Sequence, residues 1–216
     1  YNRATLPTGY PVLYEIAGTG TEVFGEISGT GPKAWGVRTS AAIGDDVSVR
    51  ASSLNLVRGN TTNGTFANVF GSFELDCLFR GATAQATSQF FLGLIGTNDA
   101  ITALPTTARH LGIYLNTTGN WILSSGNNSA QATTDTLEAY TANNVYRLNI
   151  LWNGDDSATL RLYGPGAPYT VLIATHAVTS ITMTALLLMC WHYYAESAGA
   201  GAATGFDFFE VSILPS

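Results

Sequence analysis

From His110 to Tyr163 the chain alternates apolar runs of strand length with clusters of Asn, Gly, Thr and Asp, and no other feature constrains its fold as strongly. Tyr146, Leu148, Ile150 and Trp152 fall on one side of an extended segment, and Val145, Arg147, Asn149 and Leu151 on the other, because successive strand side chains point to opposite faces. Asn153-Gly154 then offers the positive φ of a tight turn, after which Leu160 and Leu162 alternate with Arg161 and Tyr163. Upstream, Leu111, Ile113 and Leu115 alternate as far as Asn116, and Trp121-Ile122-Leu123 begins a return. The pattern predicts two antiparallel hairpins side by side, each with one face in a core.

The flanking sequence extends the same reading. Phe73, Leu75, Cys77 and Phe79 form the core side of a strand whose other side carries Glu74, Asp76, Leu78 and Arg80. Phe90 to Ile95 is a second strand, with Gly93 marking a bulge or a close backbone approach. Ala185 to Cys190 is apolar on both faces, as a central strand covered on both sides would be, and Phe206 to Leu214 supplies a last strand. Residues 195–205 have no pattern and read as a loop. Residues 1–45, rich in Gly and Thr, read as an attachment arm or as first strands, followed by a β-sandwich domain over 46–216. Thr182 to Met189 has the pattern of a helix turn, but its start is Thr-rich and its neighbours are short strands, and with no convincing helix the expected fold is all-β, a two-sheet antiparallel β-sandwich in a single domain.

Charged residues make up only 11% of the 216, with a formal net charge of −6, against about 25% charged in an ordinary soluble domain. An acidic, weakly charged surface repels a phosphate backbone and excludes nucleic acid as a partner. No apolar run approaches the ~20 residues needed to span a bilayer as a helix, so no membrane partner is expected. The chain starts at Tyr1, which leaves open a removed signal peptide, a propeptide or residues not included. Cys77 and Cys190 read as two core thiols, with a disulfide as the alternative. The sequons at Asn60, Asn63, Asn116 and Asn127 mark turns. The Gly-x-Gly pairs at Gly18 and Gly29 lack the following helix that a phosphate cradle needs, and no cofactor is expected.

The order of these features resembles a known family. An "FF-x-GL" strand at Phe90 to Leu94, an "LGIYL…GNW" hairpin at Leu111 to Trp121, a "TTDT" turn at Thr133 to Thr136, a "YRLNI-x-W" strand at Tyr146 to Trp152, an "ATLRLYG" strand at Ala158 to Gly164 and a closing "FDFFEV" strand at Phe206 to Val211 appear in sequence. Together they resemble the concanavalin A-like (laminin-G-like) jelly-roll domains of bacteriophage virion proteins. The resemblance spans roughly residues 65 to 214 and implies a capsid decoration protein, head fibre or tail appendage. Such a protein sits on the outer surface of the virion, assembles with other capsid or tail proteins, and is commonly a homotrimer.

The candidate chemistry is sparse. Glucanases of the same fold carry alternating carboxylates on one strand, whereas here Glu74 and Asp76 are followed by Leu78 and Phe79 where a proton donor is required. The two carboxylates therefore read as solvated, pairing with Arg80. His110, His176 and His192 are isolated and form no metal-ligand spacing. Asn153, Asp155 and Asp156 lack a calcium-loop pattern. No serine sits in a nucleophile elbow. Aromatics near polar loops are the remaining candidates: Trp121, Trp191, Tyr193 and Tyr194, with Trp35, either meet a glycan or anchor an interface. The expectation is a non-enzymatic structural virion protein, with an extracellular glycan-binding module as the alternative.

Overall fold

The computed structural model describes residues 3–5, 11–18, 23–27, 34–39, 42, 44–58, 72–81, 89–96, 104–115, 119–153, 157–179, 181, 188–196 and 205–215. For residues 3–38, most of 47–58, and 188–215 apart from Ser212 and Leu214, the description is of the backbone. Among the described residues there is no helix, and fifteen strands form two antiparallel sheets. The eight-stranded sheet runs in the order β1 (Arg3–Thr5), β2 (Pro11–Gly18), β5 (Asp46–Arg58), β14 (Leu188–Glu196), β7 (Gln89–Gly96), β8 (His110–Leu115), β9 (Asn120–Gly126) and β10 (Gln131–Ala139). The seven-stranded sheet runs β13 (Leu172–Val178), β12 (Ala158–Tyr163), β11 (Val145–Trp152), β6 (Phe73–Gly81), β15 (Gly205–Pro215), β4 (Ala34–Arg38) and β3 (Val23–Ile27). The Gly/Thr-rich segment at the start of the chain thus contributes strands to one margin of each sheet.

The core lies between the sheets. Phe73, Leu75, Cys77 and Phe79 of β6, Tyr146, Leu148, Ile150 and Trp152 of β11, and Leu160 and Leu162 of β12 form one layer. Phe90, Leu92 and Leu94 of β7, Leu111, Ile113 and Leu115 of β8, and Trp121 and Leu123 of β9 form the other. Alternation on β6 is complete from Phe73 to Gly81, as the sequence pattern requires. Cys77 carries its thiol inside this core. Trp121 stands at the junction of the two layers, edge-on to Phe79 at 5.4 Å, to Tyr146 at 5.7 Å and to Tyr140 at 5.6 Å. Edge-to-face aromatic contacts of this kind add to the area term that drives burial. Gly93 sits where a Cβ would collide with the Leu111 carbonyl oxygen, the close approach expected of it.

Two expectations are corrected. The β8–β9 and β11–β12 hairpins are not neighbours in one sheet but face each other across the core, because β10 pairs with β9 and the chain crosses between sheets at 140–144. Residues on facing sheets and on adjacent strands obey the same alternation, so periodicity alone does not separate the two arrangements. Thr133 to Thr136 is not a turn but the middle of β10. Its turn-forming side chains serve a register shift between Asp135 and Ala139: the Asp135 carboxylate accepts from the Leu137 N–H at 2.8 Å, and Thr136 Oγ1 donates to the Trp121 carbonyl at 2.7 Å. These bonds replace ladder bonds that the bulge removes, and Leu137 takes a positive φ of 58° within it.

The burial of Trp121 yields a test. Trp121→Ala should cost about 3–5 kcal/mol of unfolding free energy, read as a lower urea midpoint at unchanged slope. A loss within about 0.5 kcal/mol, the range of surface substitutions, would contradict its placement in the core.

Candidate functional site

The face of the eight-stranded sheet turned away from the core carries the most chemically varied residues. Strand register aligns Glu15, Arg50, His192, Gly93, Gly112, Ser124 and Thr133 in a single row across β2, β5, β14, β7, β8, β9 and β10. Residues paired directly across strands share a face, and strands about 4.8 Å apart carry this row over roughly 29 Å. One adjoining row runs Ser48, Tyr194, Phe91, Tyr114, Ile122 and Asp135. The other runs Cys190, Ile95, His110, Gly126 and Gln131. Arg50, His192 and Tyr194 are placed here by register alone, their side chains lying outside the described residues.

At the β7–β10 end the side chains are described. Phe91 and Ile95 form a buried apolar floor. His110, with no exposed surface, meets the edge of the Phe91 ring at 5.8 Å, with Nδ1 2.8 Å from the Ala108 carbonyl oxygen and Nε2 2.7 Å from Ser124 Oγ. Gln131 Nε2 donates to the same hydroxyl at 3.0 Å. Burial holds the imidazole pKa down to about 4; the Ala108 carbonyl opposes that shift and His176 adds to it. Tyr114 is half-buried, and burial, aided by the charge of Asp135, pushes its hydroxyl above the usual tyrosine range. Asn120 Nδ2 donates to Asp135 at 3.2 Å, and Gln131, Thr133 and Asp135 line the exposed margin along β10.

A second polar cluster occupies the outer face of the seven-stranded sheet. Arg147 Nε donates to Asp76 Oδ1 at 2.7 Å and its guanidinium lies 5.0 Å above the Tyr163 ring. Asn149 donates to Glu74 at 2.6 Å and to Asp76 at 3.0 Å, and accepts from Arg161 at 3.2 Å. The Asp76 hydrogen bond, opposed by partial burial, raises the Arg147 pKa. The expected partner of the two carboxylates, Arg80, is corrected to Arg147 and Asn149. Arg80 lies two full pleats from Asp76 on the same strand, about 13 Å along it, whereas β11 brings Arg147 and Asn149 alongside. Nothing in the cluster supplies the missing proton donor of a glucanase.

Of the aromatics singled out in the sequence, Trp121 belongs to the core, where no sugar ring reaches it. Trp191 and Tyr193 align with the core residues Leu94 and Leu92, and Tyr194 aligns with Phe91 on the outer face. The side chains of these three and of Trp35 lie outside the described residues, as do Asp155 and Asp156. Tyr114, His110, Ser124 and Gln131 were not anticipated as a group. Their one sequence signal is the set His110, Gly112 and Tyr114 alternating with the core residues Leu111, Ile113 and Leu115.

The His110 environment sets a pH dependence. The unfolded imidazole titrates near 6.5 and the folded one near 4, so both are neutral above about 6.5. As pH falls through that window only the unfolded state gains the proton, and stability should drop by on the order of 3 kcal/mol by pH 4. Urea midpoints measured from pH 7 to pH 4 should show this loss, and His110→Gln should flatten it. An unchanged slope in the variant would contradict the assignment.

No family model matches the sequence, and no curated protein does. Solved structures do match in fold. The endo-beta-1,4-glucuronan lyase of the fungus Trichoderma reesei superposes with a TM-score of 0.57 at 13% identity, over 92% of this chain and 87% of that one. Alginate lyase AlyC3 does so with a TM-score of 0.54 at 11% identity, over 84% and 75%. Botulinum neurotoxin type C, whose cell entry depends on interaction with two ganglioside molecules, gives 0.51 at 11% identity over 97% of this chain and 44% of that one. These likenesses correct two expectations. The non-enzymatic virion role rested on an alternating strand pattern that sandwiches of many functions share, and the matched folds belong to polysaccharide lyases and a ganglioside-dependent toxin. Neither the virion assembly role nor the exclusion of enzymatic activity stands, and the chain is an all-β, two-sheet antiparallel jelly-roll β-sandwich.

Proposed function

We propose that this chain acts on a carbohydrate polymer outside the cell, holding it across the outer face of the eight-stranded sheet. The observation that carries the reading is the row from Glu15 through Arg50 and His192 to the exposed Thr133, with half-buried Tyr114 and exposed Asp135 and Gln131 beside it, Ser124 lying buried within the row. An aromatic residue flanked by amide, hydroxyl and carboxylate groups suits a pyranose, which has apolar faces and a polar rim. A row running perpendicular to the strands suits an extended chain of sugars. The fold likeness to lyases of alginate and glucuronan supports a uronate polymer as the class to test first.

Eliminative cleavage of a uronate needs three things: a cation beside the carboxylate, a base for the adjacent carbon-bound proton, and an acid for the departing oxygen. Arg50 and His192 are residue types suited to the first two, neighbours in register on β5 and β14. Tyr114, whose hydroxyl keeps its proton at neutral pH, suits the third. Buried His110 serves as a positioning residue for Ser124 and Gln131 rather than as a base, since burial and two hydrogen bonds occupy it.

The experiment is incubation with alginate, glucuronan and neutral glucans, reading the ultraviolet absorbance of newly formed unsaturated uronate and, separately, retardation in polysaccharide-containing gels. Unsaturated product from a uronate polymer, lowered by about 10²-fold or more in His192→Ala, is the expected result. Retardation without cleavage would keep recognition and remove the elimination chemistry. Neither signal with any polymer would overturn the proposal.

A further inference from the structure

At the edge of the sandwich, on the opposite side of β9 from His110, lies an arrangement that polysaccharide recognition does not use. His176 of β13, an edge strand of the seven-stranded sheet, reaches across to the last strands of the other sheet. Its Nε2 lies 3.0 Å from Ser125 Oγ on β9 and its Nδ1 lies 2.9 Å from Thr134 Oγ1 on β10. Ser125 and His176 are each 5% exposed. Ser125 forms part of the wall of a cavity of about 180 Å³ that it shares with Asn127, Ala130, Ala132, Ala177 and Val178, and with Gln131, which also belongs to the proposed polysaccharide face.

We propose that Ser125, His176 and Thr134 form a nucleophile, base and orienting hydroxyl that hydrolyse a short-chain acyl ester bound in this cavity. The geometry is that of an activated serine: nucleophile and base within hydrogen-bond reach, and the base fixed on its far side by a third group. With the proton on Nδ1 donated to Thr134 Oγ1, the Nε2 lone pair accepts the Ser125 hydroxyl, the tautomer that base catalysis requires. Desolvation lowers the His176 pKa, so the ring is a neutral acceptor at pH 7. The cavity is smaller than the ~300 Å³ at which sites for drug-sized ligands begin, and its alanine and valine methyls suit an acyl group of a few carbons. Asn127 Oδ1 is held by the N–H groups of Ser129 and Ala130 and by the Ser129 hydroxyl. These bonds fix the Oδ1 end of an amide on the cavity wall, and its Nδ2 is the group of the residue type suited to donate to an oxyanion.

The step balances with water as the only co-reactant. Ser125 Oγ bonds to the ester carbonyl carbon as its proton passes to His176 Nε2, and the bond to the alcohol oxygen breaks as that proton is returned to it. Water then attacks the acyl-serine with His176 as base, releasing the carboxylic acid and restoring the Ser125 hydroxyl. This chemistry is independent of the polysaccharide reading and stands or falls separately.

The test treats the full chain with a fluorophosphonate and follows p-nitrophenyl acetate hydrolysis. The expected result is a single adduct mapped to Ser125, with turnover lost in Ser125→Ala and His176→Ala. Thr134→Val should lower kcat by about 10²-fold with little change in KM, and Thr134→Ser should restore it. Wild-type protein that is folded by circular dichroism, takes no adduct at Ser125 and hydrolyses the ester no faster than Ser125→Ala would overturn the proposal, whatever the variants do.

Discussion

Packing around Trp121 is the constraint on which the sandwich depends. This one side chain, from the eight-stranded sheet, touches Phe79 and Tyr146 of the facing sheet and Tyr140 on the crossing between them. A large aromatic ring makes many weak dispersion contacts at once, and a dense core transmits any gap to its neighbours. The bulge in β10 is tied to the same residue, since Thr136 bonds the Trp121 carbonyl. Core packing therefore helps set where β10 runs, and β10 carries Gln131, Thr133 and Asp135 to the outer margin of the sheet and Thr134 to His176.

Strands β8 and β9 of this sheet thus serve two purposes at period two. On β8, Leu111, Ile113 and Leu115 fill the core while His110, Gly112 and Tyr114 face outward. On β9, Ser124 bonds His110 on the outer face and Ser125 bonds His176 on the inner one. Two adjacent serines thereby belong to two different hydrogen-bonded clusters, separated by the thickness of a single strand. A hydroxyl in such a position is satisfied by a histidine in each case, as buried polar groups must be. The seven-stranded sheet contributes His176 to the inner cluster, and the described part of its outer face carries charge and amide contacts centred on Asn149.

Much of this fold was legible in the sequence. The alternation on β6, β11 and β12 fixed their core faces, and Gly93 marked a close approach correctly. What pattern could not supply was partnership. Whether β8–β9 lies beside or opposite β11–β12 depends on which sheet the crossing at 140–144 enters, and that is decided by long-range burial. Thr133 to Thr136 has turn composition because Asp135 and Thr136 serve a bulge with their side chains, a use that looks the same in sequence as a turn. The candidate sites were less legible still. Ser125 and His176 are 51 positions apart, and nothing local to either residue signals the other. The virion reading failed for the same reason, since an order of strands is shared by sandwiches with unrelated roles.

A uronate polysaccharide held across the outer face of the eight-stranded sheet, as proposed, is tested most directly by backbone hydrogen exchange with and without alginate oligosaccharides. Slowed exchange is expected in β8, β9, β10 and β14, with β11 and β12 unchanged. Protection confined to β11 and β12, or none at saturating oligosaccharide, would contradict it.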